Sequence, residues 1–381
     1  MASVALPQNG GSLQLGPKGV WAHDMAPCRT RTVFAAAHVA ARRPPTGHER
    51  STAIDWEATL EIRHRLWRLG FGVADAMDTA QRGAGLSWPA TQELIRRSSA
   101  EARMVGGRIA CGAGTDHADG AVDLDDVVHA YEEQLAVVEA AGAQVVMMAS
   151  RELARIARHP DDYLYVYDAV LQQTARPVIV HWLGEMFDPM LAGYWGFSEL
   201  DGATNAVIDL LALHQNRVDG IKLSLLDAER EVAFRRRLPP GMKLYTGDDF
   251  NYVQLIRGDD AGHSDALLGI LDGIAPVAAR ALQLLDAGDV AGYEATLRPT
   301  VPLARHVFAA PTRHYKTGLV FLAWLNGRQA EFAMLAGREI DRSTAHLLTL
   351  LQLADAAGLL EDPDLAAARM TLLLRARGES N

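Results

Sequence analysis

The sequence predicts an α/β fold, a (β/α)8 TIM barrel with a C-terminal helical extension. Three observations carry that prediction. Short β-branched apolar runs alternate with longer helical patterns, and the alternation repeats eight times over residues 31–288. The runs are apolar almost throughout, as in strands covered on both faces, rather than alternating as in a half-exposed sheet. After residue 288 only helical periodicity remains, so 289–381 is expected to form a helical region, and 1–30 an N-terminal extension.

Taken in order, residues 32–39 form the first strand, followed by a Pro/Gly/Arg-rich loop over 42–51. A helix over 56–69 leads to the second strand at 71–77. Ser87 or Trp88 opens the next helix, with Pro89 tolerated in its first turn, and 108–113 is the third strand. Asp123 caps a long amphipathic helix, and 144–149 is the fourth strand. Helices at 161–174, 204–215 and 227–238 precede strands at 177–182, 218–225 and 243–247. A short helix at 252–257 precedes the eighth run, 266–274, and Pro276 starts another helix. The tail predicts helices at 290–309, 317–326, 343–356 and 363–377.

Composition narrows the functional classes. A net charge of −10 argues against nucleic acid or an anionic membrane as a partner. Cys28 and Cys111 are too few for a disulfide framework or a zinc site. The N-terminus lacks the pattern of a signal peptide and no apolar run is long enough to span a bilayer, so a cytoplasmic location is expected. Only four lysines (Lys18, Lys222, Lys243 and Lys316) stand among 37 basic residues, so each raises the question of why it is not arginine.

In parallel barrels the reacting groups sit at the C-terminal ends of the strands. Strand alternation puts Ile221 and Leu223 on one face and Lys222 with Ser224 on the other. If the first pair faces the helices, Lys222 points into the barrel, where a desolvated amine becomes a nucleophile toward carbonyl carbon. Arginine cannot do this; the competing reading is a structural lysine paired with Asp248 or Asp249. Gly247, Asp248 and Asp249 follow the seventh strand and are expected to contribute a base or substrate-hydroxyl contacts, or else a turn and a helix cap. His181 ends the fifth strand and is a candidate proton relay. His263 is a further substrate-binding candidate. Asp116, His117, His38, His263, Glu185 and Asp248 are the donors a metal site would draw on, but no metal-binding spacing such as HExxH occurs, and no cofactor is expected.

The three segments QNRVDGIKLS (215–224), LYTGDD (244–249) and RIACGAG (108–114) resemble the dihydrodipicolinate synthase and N-acetylneuraminate lyase superfamily, in order and in spacing. The resemblance covers roughly residues 30–325. It implies that Lys222 is the Schiff-base lysine, and that the protein is a homo-oligomeric lyase, an aldolase or dehydratase acting on a small oxo acid or sugar-derived carbonyl compound. His181 stands where the family carries a proton-relaying tyrosine. The family's carboxylate-binding loop after strand two corresponds to DTAQRG (78–83), in which Thr79 carries over and Arg82 is placed to hold an anion. These departures mark a divergent branch and argue against pyruvate as substrate. The alternatives are a metal-dependent barrel aldolase or isomerase, and a non-catalytic member of the superfamily.

Overall fold

The eight apolar runs form eight parallel strands in the computed structural model, which describes residues 2–6, 11–43, 53–118 and 120–379. They are β1 (Val33–Ala36), β2 (Gly72–Asp75), β3 (Ile109–Ala113), β4 (Gln144–Met147), β5 (Val178–Leu183), β6 (Val218–Ser224), β7 (Lys243–Thr246) and β8 (Asp265–Leu268). Their hydrogen-bonded order, β6-β7-β8-β1-β2-β3-β4-β5, closes on itself, so the barrel leaves no free strand edge. Phe34, Ala74, Val146, Ile179, Tyr245 and Leu267 fill its interior. The opposite strand face meets helices: Trp182 of β5 packs edge-on against Phe234, with ring centroids 6.3 Å apart.

Helices α1 (Trp56–Arg68), α2 (Trp88–Val105), α3 (Leu124–Ala140), α4 (Arg151–Ile156), α5 (Pro160–Gln173), α6 (Leu200–Leu213), α7 (Ala228–Arg235) and α8 (Tyr252–Arg257) alternate with the strands in the chain. Their starts follow local chemistry. Asp123 and Asp126 form a reciprocal capping box on α3, and Asp227 accepts from Arg230 N at the start of α7. The eighth run divides differently from the expected single strand over 266–274. Four residues form β8, and a long helix α9 (Ile270–Asp286) begins two residues later. Pro276 therefore lies inside a helix rather than at its start, and the backbone kinks at Ile274 (φ −115°) because proline removes a helical donor and crowds the preceding turn. α4 was not anticipated; it is a six-residue helix capped by Ser150.

The chain divides into two compact units. One comprises Cys28–Ala37 and Phe71–Gly269 and contains all eight barrel strands. The other comprises Met1–Pro27, His38–Gly70 and Ile270–Asn381. It holds α1, α9 and the tail helices α10 (Val290–Leu297), α11 (Thr300–Val307), α12 (Tyr315–Leu325), α13 (Thr344–Ala356) and α14 (Pro363–Ala376). The expected 290–309 helix is two helices, with Pro299 at the break. Two short antiparallel pairs, Ser3–Ala5 with Ser12–Gln14 and Ala41–Arg42 with Ala53–Ile54, complete this unit. The loop expected over 42–51 lies, beyond Arg43, outside the described residues. Among the described residues, no helix is long and apolar enough to cross a membrane.

Candidate active site

Lys222 lies midway along β6, buried, with Ile221 and Leu223 almost fully covered on the other face. Its register partners are His181 on β5 and Tyr245 on β7, and parallel neighbours in register share a face. His181, Lys222 and Tyr245 therefore form a row across the barrel interior. Burial lowers the affinity of the Lys222 amine for its proton, opposed by the carboxylates of Asp78 and Asp249, and the net shift is downward. Among the described residues, none forms a hydrogen bond or ion pair with this amine.

His181 is fully buried and pushed well below the ordinary histidine range, first by desolvation and then by the charge of Lys222. It is a neutral imidazole whose Nε2 lies 3.2 Å from Ser224 Oγ, while its Nδ1 has no partner among the described residues. Ser224 thus shares the Lys222 face and bridges the histidine to the end of β6.

The segment after β7 closes over the lysine because Gly247 has no side chain. A Cβ there would lie 2.1 Å from Ser224 Oγ, 2.8 Å from Leu223 O and 3.1 Å from Lys222 Cε. Asp248 and Asp249 then take different tasks. Asp248 Oδ1 accepts from Phe250 N (2.8 Å) and Asn251 N (3.0 Å), and Oδ2 accepts from Asn251 Nδ2 (2.8 Å). Its carboxylate is committed to shaping the loop, so the capping alternative describes it rather than acid–base chemistry. Asp249, also buried, is the member of the pair whose charge reaches Lys222.

Behind the loop lies Glu231 of α7. It accepts from Thr246 Oγ1 (2.9 Å) and Ser264 Oγ (2.7 Å), and Thr246 Oγ1 in turn accepts from Asp248 N (3.2 Å). Burial, reinforced by Asp248 and opposed by the two hydroxyls, raises Glu231 to about 8.

After β2, Asp78 opens a one-turn 3-10 helix with Thr79 buried inside it. The turn is bracketed by left-handed backbone at Ala76 (φ 52°) and Gln81 (φ 65°), and Leu226, just past β6, is left-handed as well (φ 55°). Such conformations in non-glycine residues cost about 1–3 kcal/mol and persist where the surroundings over-determine them. All three lie beyond the C-terminal ends of barrel strands.

Asp78 and His181 line a cleft of about 340 Å³ together with Arg82, Thr115, Asp116, Arg151 and others. The sequence assigned Arg82 an anion, and the structure corrects this. Its Nη1 donates to the carbonyls of Ala76 and Gly112, both at 3.1 Å, its Nε donates to Asp116 (2.9 Å), and its Nη2 donates to Asp116 and Gln134. All five donors are spent within the protein. Asp116, despite burial, is held below the ordinary carboxylate range by Arg82. Arg151, the other guanidinium lining the cleft, pairs with Asp188 at 2.5 Å.

His263 also stands elsewhere. It lies just before β8, at the N-terminal end of that strand, where desolvation and then Arg31 and Arg235 lower it to about 4. Donors for a metal are otherwise engaged: His117 lies 2.8 Å from Gln134 and 3.1 Å from Glu133. Among the described residues, no three His, Cys, Asp or Glu side chains gather around a common point.

Sequence reasoning missed a chain of hydroxyls entering the cleft. Thr115 Oγ1 meets Ser150 Oγ at 2.6 Å, Ser150 N donates to Tyr194 OH (3.0 Å), and Tyr194 OH meets Tyr167 OH at 3.1 Å. Desolvation raises both phenols, which therefore stay protonated. The only signal in the sequence was the strand-end position of Thr115 and Ser150.

The barrel is similar to that of solved dihydrodipicolinate synthases. For the Aquifex aeolicus protein the TM-score is 0.65 at 13% identity, over 87% of this chain and 99% of that one. The Thermotoga maritima protein gives 0.64 at 14%, over 87% and 100%. The Cyanidioschyzon merolae DHDPS, solved with lysine bound, gives 0.65 at 16%, over 87% and 99%. At these identities the likeness is one of fold. No curated protein matches the sequence. The family described as "Protein of unknown function (DUF993)" matches residues 4–379, almost the whole sequence, and the chain belongs to that family.

Proposed function

We propose that this protein is a Schiff-base-forming lyase, an aldolase or dehydratase, that acts through Lys222 on a hydroxylated, sugar-derived carbonyl compound. The observation that carries the reading is a buried amine in the barrel interior, in register with His181 and Tyr245, whose proton affinity is lowered by burial, which feels the charges of Asp78 and Asp249, and which has no hydrogen bond among the described residues. Similarity in fold to dihydrodipicolinate synthases agrees with it.

In this reading the neutral Lys222 amine attacks the carbonyl carbon, and the carbinolamine loses water to give a protonated imine. The electron pair of the breaking carbon–carbon bond (aldolase) or of an α carbon–hydrogen bond (dehydratase) flows into that imine. The resulting enamine then takes up a proton at carbon, or expels the β-hydroxyl as water, and hydrolysis returns the amine. Asp78 and Asp249 stabilise the iminium charge, as they do the ammonium. His181, neutral and beside Ser224 Oγ, carries protons between substrate and solvent. Asp248 holds the loop that bears Asp249.

The charge balance of the cleft supports the substrate class. Arg82 and Arg151 are each paired with an aspartate, so among the described residues lining the cleft no guanidinium is left over for a substrate carboxylate, whereas Asp78 and Thr115 suit hydroxyl groups. Borohydride reduction in the presence of dihydroxyacetone, a ketose or pyruvate, followed by peptide mass spectrometry, tests both parts. The expected result is a mass increment on Lys222 with the hydroxylated ketones. An adduct with pyruvate alone rejects the substrate class, and no adduct at Lys222 with any of them rejects imine chemistry.

A further inference from the structure

The helical unit contains a second cleft, built from residues that the imine chemistry does not use. His38 and Asp272 are both buried, and the Asp272 carboxylate bonds His38 Nδ1 while also accepting from His38 N (3.3 Å). Arg63, fully buried, donates to the carbonyls of His38 and Thr59 and keeps this corner in place. A carboxylate can only accept, so Nδ1 carries a proton, and in the Nδ1–H tautomer Nε2 is an acceptor. Nε2 is buried and has no partner among the described residues.

The His38 ring lines a narrow cavity of about 20 Å³, shared with Asp272, Arg65, Arg328 and Glu361. The last three also line a broad cleft of about 690 Å³, so they stand at the constriction between the two. Arg65 Nη2 (3.2 Å) and Arg328 Nη2 converge on the same oxygen, Glu361 Oε1. That is the one side-chain hydrogen bond each of these arginines makes among the described residues, so most of their donors are uncommitted.

We propose that this cleft binds a small oxyanion that also carries a hydroxyl, either a hydrogen phosphate group or a 2-hydroxycarboxylate. Its anionic oxygens take the free N–H groups of Arg65 and Arg328, and its O–H donates to His38 Nε2. His38, Arg65 and Arg328 line the same narrow cavity, so a group that presents both anionic oxygens and an O–H can satisfy all three. A cleft of this volume accommodates the rest of a small metabolite.

Calorimetric titration of the full-length protein with inorganic phosphate, glycolate and acetate tests the assignment. Saturable binding of phosphate or glycolate is expected, with acetate weaker by about tenfold or more. Which of the first two binds tells phosphate from hydroxycarboxylate. Arg328→Gln is expected to weaken binding at least about tenfold, and His38→Gln to erase the preference for glycolate over acetate. Circular dichroism identifies any variant that fails to fold, and Arg328→Gln then decides alone. No saturable heat up to about 10 mM of either ligand, acetate binding as tightly as glycolate, or unchanged affinity in folded Arg328→Gln overturns the proposal. Lys222→Ala leaves this binding intact, which separates its failure from failure of the imine reading.

Discussion

Two lysines stand on adjacent strands of the barrel, and they are treated in opposite ways. Lys243, at the start of β7, pairs with Asp219 at 2.8 Å, and Tyr245 OH donates to the other oxygen of the same aspartate (2.5 Å). Lys222, level with Tyr245 on β6, is more deeply buried and has no such partner among the described residues. At the N-terminal end of the strands the polar groups satisfy one another. At the C-terminal end an amine, a neutral histidine nitrogen and three left-handed residues are held in unfavourable states. A fold tolerates such cost where the rest of the structure over-determines the position, and that asymmetry marks the reactive end of the barrel.

Exchanging the fates of the two lysines should have the largest effect. Lys222→Ala is expected to lower turnover and borohydride adduct formation by about a thousandfold or more. Lys243→Ala should leave the adduct intact and cost within about 1 kcal/mol, because the pair it removes is partly exposed. Adduct yield measured by mass spectrometry on both variants checks the contrast, and equal losses would erase it. In the native protein the rate of adduct formation should rise with pH, with a midpoint below the ordinary lysine range, because the neutral amine reacts and burial lowers its proton affinity. A midpoint at or above that range argues that Lys222 is held as an ammonium.

A smaller effect tests the closure over Lys222. In Gly247→Ala the new Cβ collides with Ser224 and with the backbone of Leu223, so a loss of about 1–3 kcal/mol in denaturant stability is expected, with a reduced adduct rate. Stability and rate both matching the native protein would show that the loop has room to spare.

Glu231 offers the mildest test, through pH. Its folded-state value of about 8 lies above that of an ordinary glutamate, so its protonated form favours folding, and that contribution is lost as pH rises from about 4.5 to about 8. Glu231→Gln keeps a neutral group there. Its thermal midpoint should exceed that of the native protein at pH 9, by an amount that shrinks toward pH 5. A constant difference across that range would mean Glu231 does not titrate there.

Much of the architecture was legible because it rests on short-range physics. Asp123, Asp227 and Ser343 announce helix starts by supplying an acceptor to unsatisfied amides, and each does so in the structure. The inward aspect of Lys222 follows from a period of two. Less legible was the eighth run, where a four-residue strand and the first turn of a helix are equally apolar, so that the two read as one strand over 266–274. Arg82 looked free to hold an anion because its partners Asp116 and Gln134 lie 34 and 52 residues away. The tyrosine–serine–threonine chain was invisible for the same reason.

Local pattern alone therefore sufficed for eight strands and for the face that Lys222 shares with Ser224, since each depends on spacing along one strand. It could not tell Asp248 from Asp249, adjacent carboxylates of which one caps a loop and the other faces the amine. Nor could it bring Asp78 to Lys222, or Arg65 and Arg328 to a single carboxylate oxygen. Electrostatic partnership depends on distances of a few ångströms between groups far apart in sequence, and those distances exist only once the barrel has closed and the helices have packed.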